Sequence, residues 1–236
     1  MHQRIQRYLR AVVAAEREPV DAGAFTLYLH PTEKQHPFLN YAIPDEDAEP
    51  DDGSALVAAA RERGLVPRIE AVEPCAPWVR DLPGFEIELE PPLMTCADPA
   101  ELSSEAELVL VEGGSPLVGP LLGALYEAFG EPPPTAERVA TWNGSSVAAV
   151  VDSEVVGGAS WTAVIDGMTE VAGIGVREPF RRQGIAGALT AEATRRGLGA
   201  GASLAVLSPG NDGAKRVYER AGYADASRMI HARMNV

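Results

Sequence analysis

The residues whose types and spacing invite chemistry stand in one row: Arg181, Arg182, Gln183, Gly184, Ile185, Ala186 and Gly187. Ahead of them, residues 171–176 read VAGIGV, a short apolar run of the kind a buried strand shows, and behind them a helical pattern begins. A strand that feeds a helix through such a turn leaves backbone N–H groups without intrahelical partners. It aims them, with the positive end of the helix dipole, at one point in space. That is chemistry for an anion. Gly184 and Ala186 carry little or no side chain, so a phosphate can approach the backbone, and Arg181 and Arg182 can add charge-assisted hydrogen bonds.

The flanking pattern supplies the elements that must hold this turn. SSVAAVV, EVVGGASWTAVI and MTEVAGIGV read as three strands, joined near Asp152 and Ser153 and then at Asp166 and Gly167, a strong hairpin signal. The helix that follows buries Ile185, Ala188, Leu189 and Ala193, SLAVLS is another buried strand, and a helix and a last strand, SRMIHARMNV, close the chain. Before them come a first strand, ELVLVEG, and SPLVGPLLGALYEAFG, a helical stretch in which Pro120 marks a restart. Further upstream, the first residues place Ile5, Tyr8, Leu9, Val12 and Val13 on one helical face, ending before Pro19. AFTLYLH reads as a strand, PDEDAEPDDG as a solvated loop, and Ser54 as the cap of a helix that stops at Gly64. PRIEAV then reads as a strand, PWVRDLPGF as a short helix with a turn, and EIELEPPLM as one alternating strand.

Two motifs carry a resemblance. RRQGIA matches the (R/Q)xxGx(G/A) acyl-CoA signature of the GNAT superfamily of N-acetyltransferases, with Arg181 first, Gly184 fourth and Ala186 sixth. SPGNDGAKRVYERAGY resembles the second signature of that family, with Asn211, Ala214, Tyr218, Gly222 and Tyr223 in its expected places. The likeness covers residues 107–236 well and the first hundred poorly. It implies an α/β (α+β) GNAT fold, a mixed and mostly antiparallel central sheet flanked by helices. It also implies direct transfer of an acetyl group from acetyl-CoA to a primary amine, with no acyl-enzyme. In that chemistry the amine must be neutral, and one of pKa near 10.4 is only about one part in two thousand neutral at pH 7. By resemblance, Glu170 on the strand before the turn is the general base, directly or through water, and Tyr218 is the acid that protonates the departing thiolate. Each has a plainer reading, Glu170 as a solvated strand end and Tyr218 as packing. Asn211 would bond the pantetheine arm, cap its helix, or both. Ile174, Gly175 and Val176 would run beside the pantetheine, a backbone N–H there polarising the carbonyl, and Gly173 and Gly175 suit a bulge. Residues 181–187 would cradle the pyrophosphate.

ALVAAARERGL at 55–65 is similar to ALTAEATRRGL at 188–198, and each precedes a strand, a short helix, a Gly-aromatic pair and a further strand. Read as a repeat, and not as two unrelated helix–strand segments that happen to look alike, they give two expected domains, a degenerate GNAT-like unit at 1–100 and a catalytic one at 101–236, with 97–106 as the connection. In the first unit PDDGSA offers acidic groups where a phosphate needs donors. Charge is divided in the same sense: residues 1–176 hold 10 Lys and Arg against 29 Asp and Glu, a net −19, and residues 177–236 hold 10 against 5, a net +5. The acidic part disfavours nucleic acid and favours a small, cationic amine, or serves only solubility. No run of about 18 apolar residues exists, and the first residues lack the apolar centre of a signal peptide, so neither membrane nor export is expected and a cytoplasmic location is. Cys75 and Cys96 are too few for a disulfide framework, and neither they nor His2, His30, His36 and His231 have metal-ligand spacing. His231 reads as a surface or core residue, or as part of the acceptor pocket lining; Trp78, Trp142 and Trp161 read as core or interface residues, with Trp142 also placed to touch the acceptor; a homodimer is open. Neither a GxxxxGK(S/T) loop nor a GxGxxG turn occurs. The second function class open to these residues is a module that senses acyl-CoA without turnover.

Overall fold

The computed structural model describes residues 1–31, 34–35 and 39–235; His36 and the final Val236 of the expected last strand lie outside the described residues. Packing divides the chain into two compact units, Met1–Leu93 with Ala226–Val236, and Met94–Asp225.

In the first unit, α1 (His2–Glu16) buries Ile5, Tyr8 and Val13 of the expected face, with Leu9 and Val12 partly buried, and its Gln6 takes the N–H of Val72 at 2.7 Å. There follow β1 (Glu18–Asp21), β2 (Phe25–Leu29), β3 (Tyr41–Pro44), α2 (Ser54–Arg61), β4 (Arg68–Val72), a 3₁₀ segment at Pro77–Asp81 and β5 (Phe85–Leu89). β1, β2 and β3 form an antiparallel meander, and β3 lies parallel to β4. Phe25, Leu27, Leu56, Ile69 and Val79 are buried together as its core. Two expectations are corrected. Ser54 is the first helical residue and the cap is Gly53, at φ +73° with no side-chain cap bond. EIELEPPLM is two strands rather than one, because Glu90 and Pro91 interrupt the ladder between β5 and the next strand.

The second unit takes in β6 (Pro92–Cys96) from Met94 on, then β7 (Glu107–Glu112), α3 (Val118–Phe129), α4 (Ala136–Thr141), β8 (Ser145–Val151), β9 (Glu154–Trp161), β10 (Met168–Val176), α5 (Ile185–Gly199), β11 (Leu204–Leu207) and α6 (Asp212–Arg220). α3 starts at Val118, so Pro120 is no restart: it sits in the first turn, where its missing N–H has no partner to lose. The strands run in the order β6-β11-β10-β9-β8-β7, antiparallel throughout except for β10 beside β11. The expected hairpins form: Asp152 and Ser153 have φ of 49° and 67°, Asp166 and Gly167 of 50° and 68°, the left-handed pair of a two-residue turn. β12 (Ala224–Met234) then returns to the first unit, antiparallel to β4 with Met229 opposite Val72, and takes β5 on its other side.

Two helices grip opposite faces of the second sheet. α5 buries Ile185, Ala188, Leu189 and Ala193, and Gly197 admits Thr169 so closely that an added Cβ would lie 2.6 Å from its Cγ2. α3 crosses the other face at Gly158 and Gly175, where added Cβ atoms would fall 2.3 Å from Leu121 Cδ1 and 3.1 Å from Leu125 Cδ2.

Candidate active site

The site opens where two parallel strands part. β10 pairs with β11 at Met168, Thr169 and Glu170 and no further, although β10 continues to Val176 beside β9. The β9 ladder is bulged: Ala172 faces Ser160 and Gly175 faces Gly158, so Gly173 and Ile174 together oppose Ala159, with Gly173 at φ +62°. Arg177 N–H donates to Val156 O on β9 at 2.8 Å. Alternation along the strand therefore turns the N–H groups of Val176 and Ile174 to the other edge, which β11 has left, and Gly175 toward β9. Val176 O, on that open edge, accepts from Arg181 Nε at 2.9 Å.

Past β10 the chain makes a 3₁₀ turn at Glu178–Phe180, passes Arg182 at φ +63° and enters α5 through Gly184 at φ +82°. The N–H of Arg181 returns to Glu178 O, and the first helical bond is Ala188 N–H to Gly184 O at 3.1 Å. Between these two, no hydrogen bond among the described residues takes the N–H of Arg182, Gln183, Gly184, Ile185, Ala186 or Gly187. Six backbone donors thus converge at one helix start. Arg181 braces them, giving Nε to Val176 O and Nη2 to Ala128 O at 3.0 Å, so its guanidinium ties the turn to both β10 and the end of α3. Arg177 adds a second tie, to Glu127 and Glu154. Arg182 is exposed, and Gln183 Nε2 reaches Pro179 O at 3.4 Å.

The candidate acid and base fall on opposite faces of the sheet. Thr169 and Val171 face α5, so Glu170 between them faces away, half-buried, its N–H held by Thr162 Oγ1 at 2.9 Å and its carbonyl by Thr162 N–H at 3.0 Å. Tyr218 lies in the α5-side core with Leu189 and Ala193, and burial raises its phenol above the ordinary tyrosine value. Its ring stands 6.4 Å from that of Tyr223. Tyr223 is itself held: Thr194 gives its hydroxyl hydrogen to Thr190 O at 2.7 Å, so Tyr223 donates to Thr194 Oγ1 at 2.8 Å. Asn211 caps α6, its side chain accepting Ala214 N–H at 3.0 Å.

The other singled-out residues lie elsewhere. His231 Nδ1 is 3.4 Å from Glu70 Oε1 in the first unit, and His2 Nε2 is 3.0 Å from Ala226 O. Trp78 meets Phe25 edge to face, Trp142 folds against Gly144, and Trp161 packs on the α5-side core. Both cysteines are free. Among the described residues no three His, Cys, Asp or Glu side chains gather as a metal site, and no helix is long and apolar enough to cross a membrane. Ser146 and Ser160, which touch on β8 and β9, escaped the sequence reading; only the strand register brings them together.

The sequence model of the acetyltransferase (GNAT) family matches residues 120–223. The whole chain is similar to a GCN5-related N-acetyltransferase from Kribbella flavida at 26% identity, covering 100% of this chain and 96% of that one with a TM-score of 0.80. It shares its fold with a GCN5-related N-acetyltransferase from Sphaerobacter thermophilus (19% identity, 97% and 84% covered, TM-score 0.65). The same holds for an acetyltransferase from Colwellia psychrerythraea (10% identity, 100% and 97% covered, TM-score 0.58). No curated protein matches the sequence. Residues 120–223 carry a domain of the acetyltransferase (GNAT) family, and the chemistry of that family is acyl transfer with acetyl-CoA as co-substrate.

Proposed function

We propose that the protein transfers an acetyl group from acetyl-CoA directly to a primary amine. The observation that carries this reading is the row of six unclaimed backbone donors from Arg182 to Gly187 beside the parted strands β10 and β11. The donors suit a diphosphate, and the gap suits an extended thiol arm lying along β10 as an added strand would. An acyl carbonyl in the gap would meet the N–H of Ile174 or Val176, both turned to that edge, which stabilises the oxyanion as it forms. Asn211 caps α6 with its carbonyl oxygen, leaving its amide hydrogens for the pantetheine.

Division of acid and base between the two faces supports a direct attack. The amine arrives on the face of Glu170, which takes its proton directly or through water. The C–N bond forms, the C–S bond breaks, and Tyr218 on the α5 face gives its proton to the thiolate. Burial keeps that phenol protonated well past neutral pH. The first unit, in this reading, is a degenerate counterpart with no coenzyme site.

Titration with acetyl-CoA and with desulfo-CoA, followed by melting temperature, tests binding, and free-thiol release with a panel of amines tests transfer. Stabilisation together with thiol release for at least one amine is the expected result. Stabilisation with no release for any amine would make the protein a sensor of acyl-CoA instead.

A further inference from the structure

On the face of the second sheet that carries Glu170, α3 covers one row of residues, Ala148, Gly158 and Gly175, with Leu121 and Leu125. The next row is polar. Ser146 stands opposite Ser160, Ser160 opposite Ala172, and one rung further Glu170 lies beside Thr162. The hydroxyls of Ser146 and Ser160 meet at 2.5 Å. Neither makes another hydrogen bond among the described residues.

Two hydroxyls in one contact hold two hydrogens and use one. Ser146 is 0% exposed, and if it only accepted, its own hydrogen would be left buried with no acceptor. Ser146 therefore donates, and Ser160, which is partly exposed, keeps its own hydrogen for something else. That hydrogen sits beside the bulge: an added Cβ on the exposed Gly173 would lie 3.7 Å from Ser160 Oγ, ordinary contact distance. Ile174, whose N–H turns to the open edge, is the next residue.

We propose that Ser160 is a specificity-determining residue that selects acceptors carrying a neutral oxygen, a hydroxyl or ether, close to the amine. This rests on the acetyl-transfer reading above. Ser160 would donate to that oxygen while the amine lies toward Glu170. A carboxylate fits the position poorly, because β8, β9, β10 and α3 contain no lysine or arginine to balance it and Glu170 shares the face. An alkyl group would leave the Ser160 hydrogen without an acceptor, and a site built to bond an oxygen rejects a substrate lacking it.

The test compares 3-amino-1-propanol, β-alanine and n-butylamine as acceptors for the wild-type chain and the Ser160→Ala variant, with melting temperature and acetyl-CoA affinity measured on both. The wild type should prefer the amino alcohol to the other two by about tenfold in kcat/KM. Ser160→Ala should shrink that preference to about twofold, mainly through KM for the amino alcohol, with coenzyme affinity unchanged. Ser146→Ala, which leaves Ser160 in place but unoriented, should fall between. A wild type without the preference, or a Ser160→Ala variant that keeps it, overturns the proposal. Failure of every amine to release thiol while acetyl-CoA still binds would overturn the acetyl-transfer reading, and this inference with it.

Discussion

The helices α2 and α5 begin alike and end up with opposite electrostatics. Each starts at a glycine in the left-handed region, Gly53 at φ +73° and Gly184 at φ +82°, with no side-chain cap bond from that residue. Each glycine carbonyl accepts the first helical bond, from Val57 at 2.9 Å or Ala188 at 3.1 Å. The difference lies in the two preceding side chains. In the first unit Asp51 Oδ1 takes Gly53 N–H at 2.6 Å and Asp52 Oδ1 takes Ser54 N–H at 2.9 Å. In the second unit the matching positions are Arg182 and Gln183, and the amides stay open. One turn carries its own anions; the other leaves its donors unclaimed among the described residues. Backbone shape alone does not make a phosphate site, since the same shape is satisfied internally when carboxylates stand next to it.

The strongest way to break this contrast is Gly184→Glu. A side chain at φ +82° is strained and brings a carboxylate to the donors, so acetyl-CoA affinity should fall about a hundredfold or more, read by the loss of coenzyme-induced melting shift. Tyr218→Phe should lower kcat by about a hundredfold while coenzyme affinity holds, which would separate the donor cup from the acid. An unchanged kcat would remove Tyr218 from the reaction. Gln183→Asp imports the first unit's device, since Gln183 precedes Ile185 as Asp52 precedes Ser54. It should weaken acetyl-CoA by about tenfold and raise the melting temperature of the free protein. The converse change, Asp52→Asn, should leave coenzyme affinity alone and lower the melting temperature slightly. Ser54 holds the Asp52 carboxyl below its usual range, first through its hydroxyl and then through its N–H. Stability from that depressed value is present above the unfolded pKa and disappears as pH falls through the folded one, so the wild-type advantage should vanish in acid. Equal melting curves for the two proteins at neutral pH would show that the aspartate does not cap.

The contrast was half legible in the sequence. RRQGIA against PDDGSA already set donors against acids, because both motifs are local and a turn is written in consecutive residues. The hairpins at Asp152 and Asp166 were readable for the same reason. Elements that depend on remote partners were not. β3 is buried at every position and so lacks alternation, β1 and α4 are too short to show a period, and the alternation of EIELEPPLM continues across the break at Glu90 and Pro91. The cap moved by one residue, from Ser54 to Gly53, because the left-handed turn leaves the serine inside the helix. Ser146 follows Ser145 at the start of β8 and Ser160 is the one serine of β9, and nothing local marks them until the register of the two strands sets them face to face.

The final strand carries a practical message for anyone cutting this gene. β6 precedes most of the second sheet in sequence yet borders β11 through Met94–Cys96, while β12, from the far end, completes the first sheet against β4. Expression from residue 101 onward would strip β11 of β6, one of its two neighbours, and supply an orphaned C-terminal segment, a naked ladder of the sort that seeds aggregates. A fragment that keeps the ladder of the second unit has to begin no later than Met94, where β6 meets β11.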